Sequence, residues 1–165
     1  MFLSNPAPDE SVRSLLDAAK EEDGYVMNFV RLWAWRPDVH ITFSEARKLL
    51  ALKSGLSARE IAALNSTTAS CAGDSGCSIA WGTKFADLCD ASTAAALIRG
   101  DDAPALTVRE RALRAWASAL VEDPNATTRE DIETLHAAGL SDQEIFDATV
   151  LIAFRLAFCT VNDAL

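Results

Sequence analysis

The segment spanning residues 56–86 constrains the fold of this chain more than any other part of the sequence. Ser57 and Glu60 have the spacing of a capping box, which predicts that a helix begins directly after Ser57. That helix should end near Gly73, because glycine is common just past a helix end. A helical pattern then resumes, so the segment predicts two consecutive helices joined by a short break.

Aspartate is a common N-cap residue, so Asp74 predicts the start of the second helix. Cys77 then lies in the first turn of that helix. A helix N-terminus favours the thiolate form of a cysteine, whereas the negative charge of Asp74 opposes it, so the sequence leaves the sign of the pKa shift open. Trp81 lies one turn later on the same face, where its ring can contact the sulfur atom. Cys77 is therefore a candidate reactive thiol; the alternative is that Cys77 and Trp81 are two core residues.

The composition predicts an all-α protein with a single domain. The chain has 165 residues, half of them hydrophobic, and a domain of that size can bury about 70% of its unfolded-chain surface. Apolar residues recur at spacings of three and four, which is typical of helices. We expect one domain over residues 1–165, beginning with an extended arm at residues 1–8 that contains two prolines.

Further helices are predicted at about residues 10–22, 25–35, 38–52, 90–98, 107–121, 127–138 and 142–161. Thr127 and Glu130 have capping-box spacing at the start of the 127–138 helix. In the 38–52 helix, the residues expected to face inward include Leu49. The helices at 25–35 and 142–161 are apolar on most sides, which is typical of a core or a subunit interface, and we therefore expect a homo-oligomer.

Charge and hydropathy argue against two classes of partner. The formal net charge is -9, and no cluster of basic residues could neutralise several phosphates, so nucleic acid is not expected to bind. No stretch approaches the roughly 18 apolar residues of a membrane span, and the N-terminus lacks a signal-peptide pattern. We expect a cytoplasmic protein that binds neither nucleic acid nor membrane.

The cysteines do not have the spacing of a metal site. Cys71, Cys77, Cys89 and Cys159 are accompanied by only two histidines, so we expect neither a metal nor a cofactor. A disulfide between Cys71 and Cys77 would require the intervening loop to fold back.

Several motifs resemble those of a known family: LSARE at 56–60, TAS at 68–70, GDSGCSIAWG at 73–82, GYVMN at 24–28 and GLSDQEI at 139–145. Together they resemble the alkylhydroperoxidase-D and carboxymuconolactone decarboxylase superfamily, and most resemble its peroxidase-related branch. The resemblance covers nearly the whole chain. It implies a compact multi-helix domain and a homo-oligomer built on trimers or dimers.

The resemblance also indicates where this chain departs from redox members of the family. Those members have a Cys-x-x-Cys pair, a histidine one turn later and a glutamate on the preceding helix. Laying that pattern on this chain without gaps places the second cysteine at Cys77. The other three positions hold Asp74, Trp81 and Ala62. The resemblance thus implies that Cys77 is the catalytic residue of a degenerate motif and that the other three residues line the site.

Two functional hypotheses follow, and they leave open whether the chain is an enzyme. The first is a slow thiol-dependent peroxidase or disulfide oxidoreductase, in which a small hydroperoxide oxidises Cys77 and an external thiol or Cys71 resolves the product. The second is a catalytically degenerate oligomer that binds an apolar small molecule beside Trp81. A lyase similar to carboxymuconolactone decarboxylase is a minor alternative, because the sequence does not reveal its acid and base.

Overall fold

The computed structural model describes residues 2–103 and 105–165, and within them it contains nine α-helices and no β-strand. The helices are α1 (Glu10–Asp23), α2 (Asn28–Trp33), α3 (Pro37–Lys53), α4 (Ala58–Cys71), α5 (Ser75–Leu88), α6 (Ala91–Arg99), α7 (Val108–Glu122), α8 (Arg129–Ala137) and α9 (Asp142–Ala164). The predicted all-α class is confirmed. Residues 2–8 have no regular secondary structure, and Met1 of the predicted arm lies outside the described residues.

The chain divides into two compact units, one formed by residues up to Leu49 with Thr160–Leu165, the other by Leu50–Cys159. The expectation of a single domain stays a prediction. In the first unit, the Trp33 indole N–H donates to Asn162 Oδ1 at 2.9 Å, and the Trp33 ring stacks on Phe43. This unit therefore joins α2 and α3 to the last residues of the chain.

Two expectations about the first unit were wrong in detail. The helix predicted at 25–35 is shorter, because only Asn28–Trp33 is helical, and Tyr25 and Trp35 are exposed. The prediction that Leu49 of α3 faces inward is also wrong, since its side chain is exposed. Apolar residues are spread around α3, as the exposure of Ile41 illustrates, so the helix has no single apolar stripe to bury.

The second unit is built around α4, which packs against α5, α6 and α7. One apolar cluster includes Leu64 of α4, Trp116 of α7 and Ile152 of α9. A second cluster includes Ala62 of α4, Phe85 of α5 and further residues of α6. Because α4 contributes to both clusters, its position is fixed on two sides, and the start of α5 follows directly from its end.

Capping boxes begin several of these helices. Those at Ser57 and Thr107 are present, each closed by a glutamate three residues later. The box predicted at Thr127 is wrong by one residue: Thr128 and Asp131 cap α8 instead. The Thr127 hydroxyl donates to the Pro124 carbonyl, so it belongs to the preceding turn.

Arg109 links the two helix starts that share the sequence pattern Gly-Leu-Ser-x-x-Glu. Its guanidinium donates to Glu60 Oε1 at 2.5 Å and to Glu144 Oε1 at 2.7 Å. Both glutamates also accept a backbone N–H at their own helix starts. One arginine thereby connects α7 to the N-termini of α4 and α9.

Among the described residues, no helix combines the length and the apolar character that crossing a membrane requires.

Candidate functional site

Asp74 and Cys77 have the geometry predicted for the start of α5. Asp74 is the N-cap residue, and its Oδ1 accepts the backbone N–H of Cys77 at 2.8 Å. The Ser78 hydroxyl donates to the Asp74 carbonyl at 2.6 Å, so backbone and side chain are both held. Asp74 is buried and Cys77 is half-buried, which places the thiol at the margin of the second unit's interior.

Helix α9 brings a second cysteine to this position. The sulfur atoms of Cys77 and Cys159 and a carboxylate oxygen of Asp74 all lie within 4.8 Å of one another. All four cysteines are free thiols, and Cys159 is 2% exposed. The site therefore contains two adjacent thiols and a carboxylate.

Arg155 supplies a positive charge beside the thiols. It is one turn before Cys159 on α9, it is 2% exposed, and its Nη1 lies 3.5 Å from the Cys77 sulfur. Its Nε donates to Asn65 Oδ1 at 3.0 Å. The Asn65 amide nitrogen donates in turn to the Ile61 carbonyl, which directs the amide oxygen towards Arg155. Asn65 of α4 thus orients the guanidinium.

Two aromatic rings lie beside this guanidinium. The Arg155 Cζ is 5.0 Å from the centre of the Trp81 ring and 5.4 Å from that of Phe158. Lys84 Nζ lies 4.6 Å from the Trp81 ring centre. Trp81 is therefore a cation–π partner of Arg155 and Lys84.

The surroundings give the two thiols opposite pKa shifts. The pKa of Cys77 lies below its usual value of 9.0, mainly because the Cys159 thiol stabilises the thiolate and also because Arg155 is positively charged. Burial and the Asp74 carboxylate oppose this shift. The pKa of Cys159 is raised because its proton is held against Cys77 and because the thiol is buried. Of the two thiols, Cys77 therefore ionises first.

Asp74 is an ionised carboxylate despite its burial. Desolvation raises its pKa, but the Cys77 backbone N–H, the nearby thiols and the Arg155 charge outweigh that effect, and the net pKa is lowered. Asp74 Oδ2 and Arg155 Nη2 are buried and have no conventional hydrogen-bond partner. The site thus offers one free acceptor and one free donor beside the thiols.

Two further candidate residues from the sequence, Ala62 and Cys71, are not part of the group formed by Asp74, Cys77 and Cys159. Ala62 is buried in the second apolar cluster, against which Trp81 also packs. Cys71 is exposed at the end of α4, with its sulfur 3.5 Å from the Ser118 hydroxyl, and it is not part of the group around Cys77.

Asp74, Cys77 and Cys159 are also the one set of three clustered metal-ligand side chains among the described residues. Two sulfurs and a carboxylate would suit a soft divalent cation such as zinc. The Arg155 guanidinium already supplies a positive charge at the Cys77 sulfur and would repel a dication there. The expectation that the chain uses no metal stays a prediction.

Sequence reasoning missed Asn65, Arg155 and Cys159 as parts of the site. One signal was present: Arg155 interrupts the apolar run of α9, and a charged residue in such a helix requires a buried partner. Cys159 follows Arg155 by four residues and so shares its face of the helix. No comparable signal distinguishes Asn65.

Comparison with known proteins supports the fold. No protein-family model matches the chain, and no curated protein matches it. Among solved structures, an uncharacterised peroxidase-related protein from Silicibacter sp. TM1040 is 24% identical with a TM-score of 0.80, and the match covers 98% of this chain and 85% of that one. An uncharacterised peroxidase-related protein from Ralstonia eutropha JMP134, with an alkylhydroperoxidase AhpD core, is 24% identical with a TM-score of 0.73, covering 96% and 87%. The resemblance seen in the sequence is thus confirmed for the fold, and the chain has the all-α architecture of these peroxidase-related proteins.

Proposed function

We propose that this protein is a thiol-dependent oxidoreductase that reduces small hydroperoxides, with Cys77 as the nucleophile. The observation that carries the proposal is the position of Cys77 between a thiol hydrogen-bond donor, Cys159, and a fixed cation, Arg155. Both neighbours favour the thiolate, which is the reactive form of cysteine. A cysteine that only packs in the core requires neither a hydrogen-bond donor nor a cation beside its sulfur.

The free donor and acceptor of the site match the two ends of a hydroperoxide group. The terminal O–H of ROOH could donate to Asp74 Oδ2, and Arg155 Nη2 could donate to the peroxide oxygen bonded to R. In the reaction, the Cys77 thiolate attacks the terminal oxygen, the O–O bond breaks, and sulfur is oxidised to a sulfenic acid. The leaving alkoxide takes a proton from solvent and departs as an alcohol, and Arg155 stabilises its developing charge.

This arrangement supports slow turnover. The histidine and glutamate of redox family members are replaced by Trp81 and Ala62, so neither position supplies a titratable side chain for proton transfer. Such general acid–base groups contribute roughly 10²–10⁴-fold to a rate. Arg155 can stabilise negative charge, but arginine is not among the side chains that usually transfer protons in catalysis.

The alternative of an apolar ligand beside Trp81 has less support. Two cationic side chains, Arg155 and Lys84, lie over the Trp81 ring, whereas a site for an apolar ligand is lined mainly by apolar and aromatic side chains. A cavity of about 310 Å³ lies elsewhere, at the start of α6, and its lining is partly acidic: Asp90, Ser92, Thr93, Ala96, Asp102, Ala103 and Ala105. Neither Cys77 nor Trp81 lines it.

The proposal is tested by hydroperoxide consumption with a dithiol as the reductant. The wild-type protein and Cys77→Ser are compared with tert-butyl hydroperoxide as the substrate. Cys89→Ser is the matched control, because Cys89 is also a half-buried thiol of this unit and its S–H donates to the Phe85 carbonyl, as a serine hydroxyl could. We expect activity in wild type and Cys89→Ser and its loss in Cys77→Ser. Equal consumption by Cys77→Ser, or none by any of the three, would overturn the proposal.

A further inference from the structure

Peroxide reduction at Cys77 uses the buried Cys159 thiol as a hydrogen-bond donor but gives its sulfur no covalent role. Buried cysteines are ordinarily inert core residues. This one differs because its sulfur lies within 4.8 Å of the Cys77 sulfur and shares its surroundings with Asp74. It is also carried by the same helix as Arg155, one turn later, so α9 presents a cation and a thiol to Cys77 together.

The other positions for a second thiol are not suited to this role. The family's first cysteine position holds Asp74, which cannot form a disulfide. Cys71 is exposed and contacts Ser118, outside the group around Cys77. A disulfide requires a sulfur–sulfur distance of about 2.05 Å, and the sulfur of Cys159 lies within 4.8 Å of the Cys77 sulfur.

We propose that Cys159 is the resolving cysteine and forms an intramolecular Cys77–Cys159 disulfide after Cys77 has been oxidised. This inference rests on the proposed function, because it requires a sulfenic acid at Cys77. In this proposal, Cys77 and Cys159 have the role that the Cys-x-x-Cys pair has in redox family members. The two cysteines are 82 positions apart in the sequence.

The resolving step balances without a further oxidant. The Cys159 sulfur attacks the Cys77 sulfur, the S–O bond of the sulfenic acid breaks, and the S–S bond forms. The hydroxyl group leaves with the Cys159 proton as water. An external dithiol then reduces the disulfide to two thiols and is itself oxidised to a disulfide. One hydroperoxide is reduced for each dithiol oxidised.

Oxidation of Cys77 also removes the largest of the effects that keep Cys159 protonated, while burial and the Asp74 carboxylate remain. In the reduced site, Cys77 is the main reason that the Cys159 pKa is raised. A sulfenic acid is neutral at that sulfur, so conversion of Cys77 removes the anion beside Cys159 and eases loss of its proton. The pair is therefore ordered so that Cys77 reacts first and Cys159 second.

The test is peptide mapping without reduction after treatment of the reduced protein with one equivalent of tert-butyl hydroperoxide. In wild type we expect a cross-linked peptide pair containing Cys77 and Cys159, which a dithiol separates. In Cys159→Ser the cross-link should be lost, and a dimedone-type probe should trap a sulfenic acid at Cys77. Cys159→Ala provides a second variant if the buried serine hydroxyl impairs folding, which circular dichroism would reveal. Cys71→Ser should keep the cross-link.

The possible outcomes separate this inference from the proposed function. Equal dimedone labelling of Cys77 in wild type and Cys159→Ser, without a cross-link, would overturn the role of Cys159 and leave peroxide reduction intact. A cross-link to Cys71 or to a second copy of the chain would do the same. No oxidation of Cys77 in any variant would overturn both. Stoichiometric zinc in the purified protein that blocks the cross-link until it is chelated would assign Asp74, Cys77 and Cys159 to a metal site instead.

Discussion

The Nη1 atom of Arg155 lies 3.5 Å from the sulfur of Cys77, although the two residues are 78 positions apart in the sequence. The contact places the positively charged Arg155 guanidinium against the Cys77 thiol in the first turn of α5. Arg155 is held in turn by Asn65 and by the ring of Trp81. A fixed charge thus lies beside the Cys77 sulfur, whereas the motif that the sequence resembles has a titratable histidine one turn after its second cysteine.

Loss of this charge should make Cys77 less reactive. In Arg155→Met the pKa of Cys77 should rise, because Arg155 is one of the causes that lower it. The rate of Cys77 alkylation by iodoacetamide, followed by mass spectrometry as a function of pH, measures the change. We expect the profile to move to higher pH. Arg99→Met, which removes an exposed arginine paired with Asp101, is the control and should leave the profile unchanged.

Asp74→Asn should shift the same profile in the opposite direction. The Asp74 carboxylate raises the pKa of Cys77, and asparagine removes its charge but keeps an oxygen that can cap α5. We expect faster alkylation at neutral pH with little change in stability. The control is Asp90→Asn, which makes the same change at the N-cap of α6. Slower alkylation of Cys77 in Asp74→Asn would contradict the inference that the Asp74 carboxylate raises the pKa of Cys77.

The sign of the Cys77 pKa shift illustrates what the sequence could and could not predict. Helix starts, capping boxes and the break at Gly73 follow from local side-chain and backbone chemistry, so the ends of α4 and α5 were predicted closely. The shift depends instead on Arg155 and Cys159, which only the packing of α9 brings to Cys77. Contacts across such sequence distances leave little local pattern, and the interrupted apolar run at Arg155 was the one available sign.

The link made by Arg109 should stabilise the protein in a pH-dependent way. Burial raises the pKa of Glu60, but hydrogen bonds from Arg109 and the helix start outweigh this and lower it below 4.5. The pKa of Glu144 is lowered by its Ser141 backbone bond and by Arg109. A carboxylate with a lowered folded-state pKa stabilises the fold above its unfolded-state pKa, and this stability is lost as pH falls through the folded-state value.

Arg109→Ala should therefore cost about 2 kcal/mol at neutral pH, since it removes charged hydrogen bonds to two glutamates. Urea unfolding of wild type and variant measures the difference. We expect the difference to shrink as the pH falls from 4.5 through the lowered folded-state pKa values of the two glutamates, because the carboxylates then become protonated in the folded protein. Arg36→Ala, which breaks a pair exposed on both sides, is the control and should not move the midpoint. A pH-independent difference would mean that the two glutamates contribute little and that packing or the Arg109 hydrogen bond to the Gly139 carbonyl accounts for the loss.

We also expect the chain to form a homo-oligomer. Ile79 is 67% exposed and Phe146 is 64% exposed, and other large apolar side chains of the described residues are exposed as well. Monomers rarely leave extensive apolar surface in water. Light scattering at micromolar concentration should give a multiple of 17.7 kDa, and Ile79→Glu or Phe146→Glu should reduce the measured mass. A mass near that of one chain in wild type would rule out stable self-association.

The central claim is that Cys77 is the thiol that peroxide oxidises first. The most direct measurement is dimedone-type labelling during brief exposure of the reduced protein to hydroperoxide, with mass spectrometry of the peptides that contain Cys71, Cys77 and Cys89. Cys159→Ser is used so that the sulfenic acid is not consumed by the second thiol. The account predicts that Cys77 is labelled well ahead of Cys71 and Cys89, although Cys71 is more exposed. Labelling of Cys71 before Cys77, or none at Cys77, would contradict it.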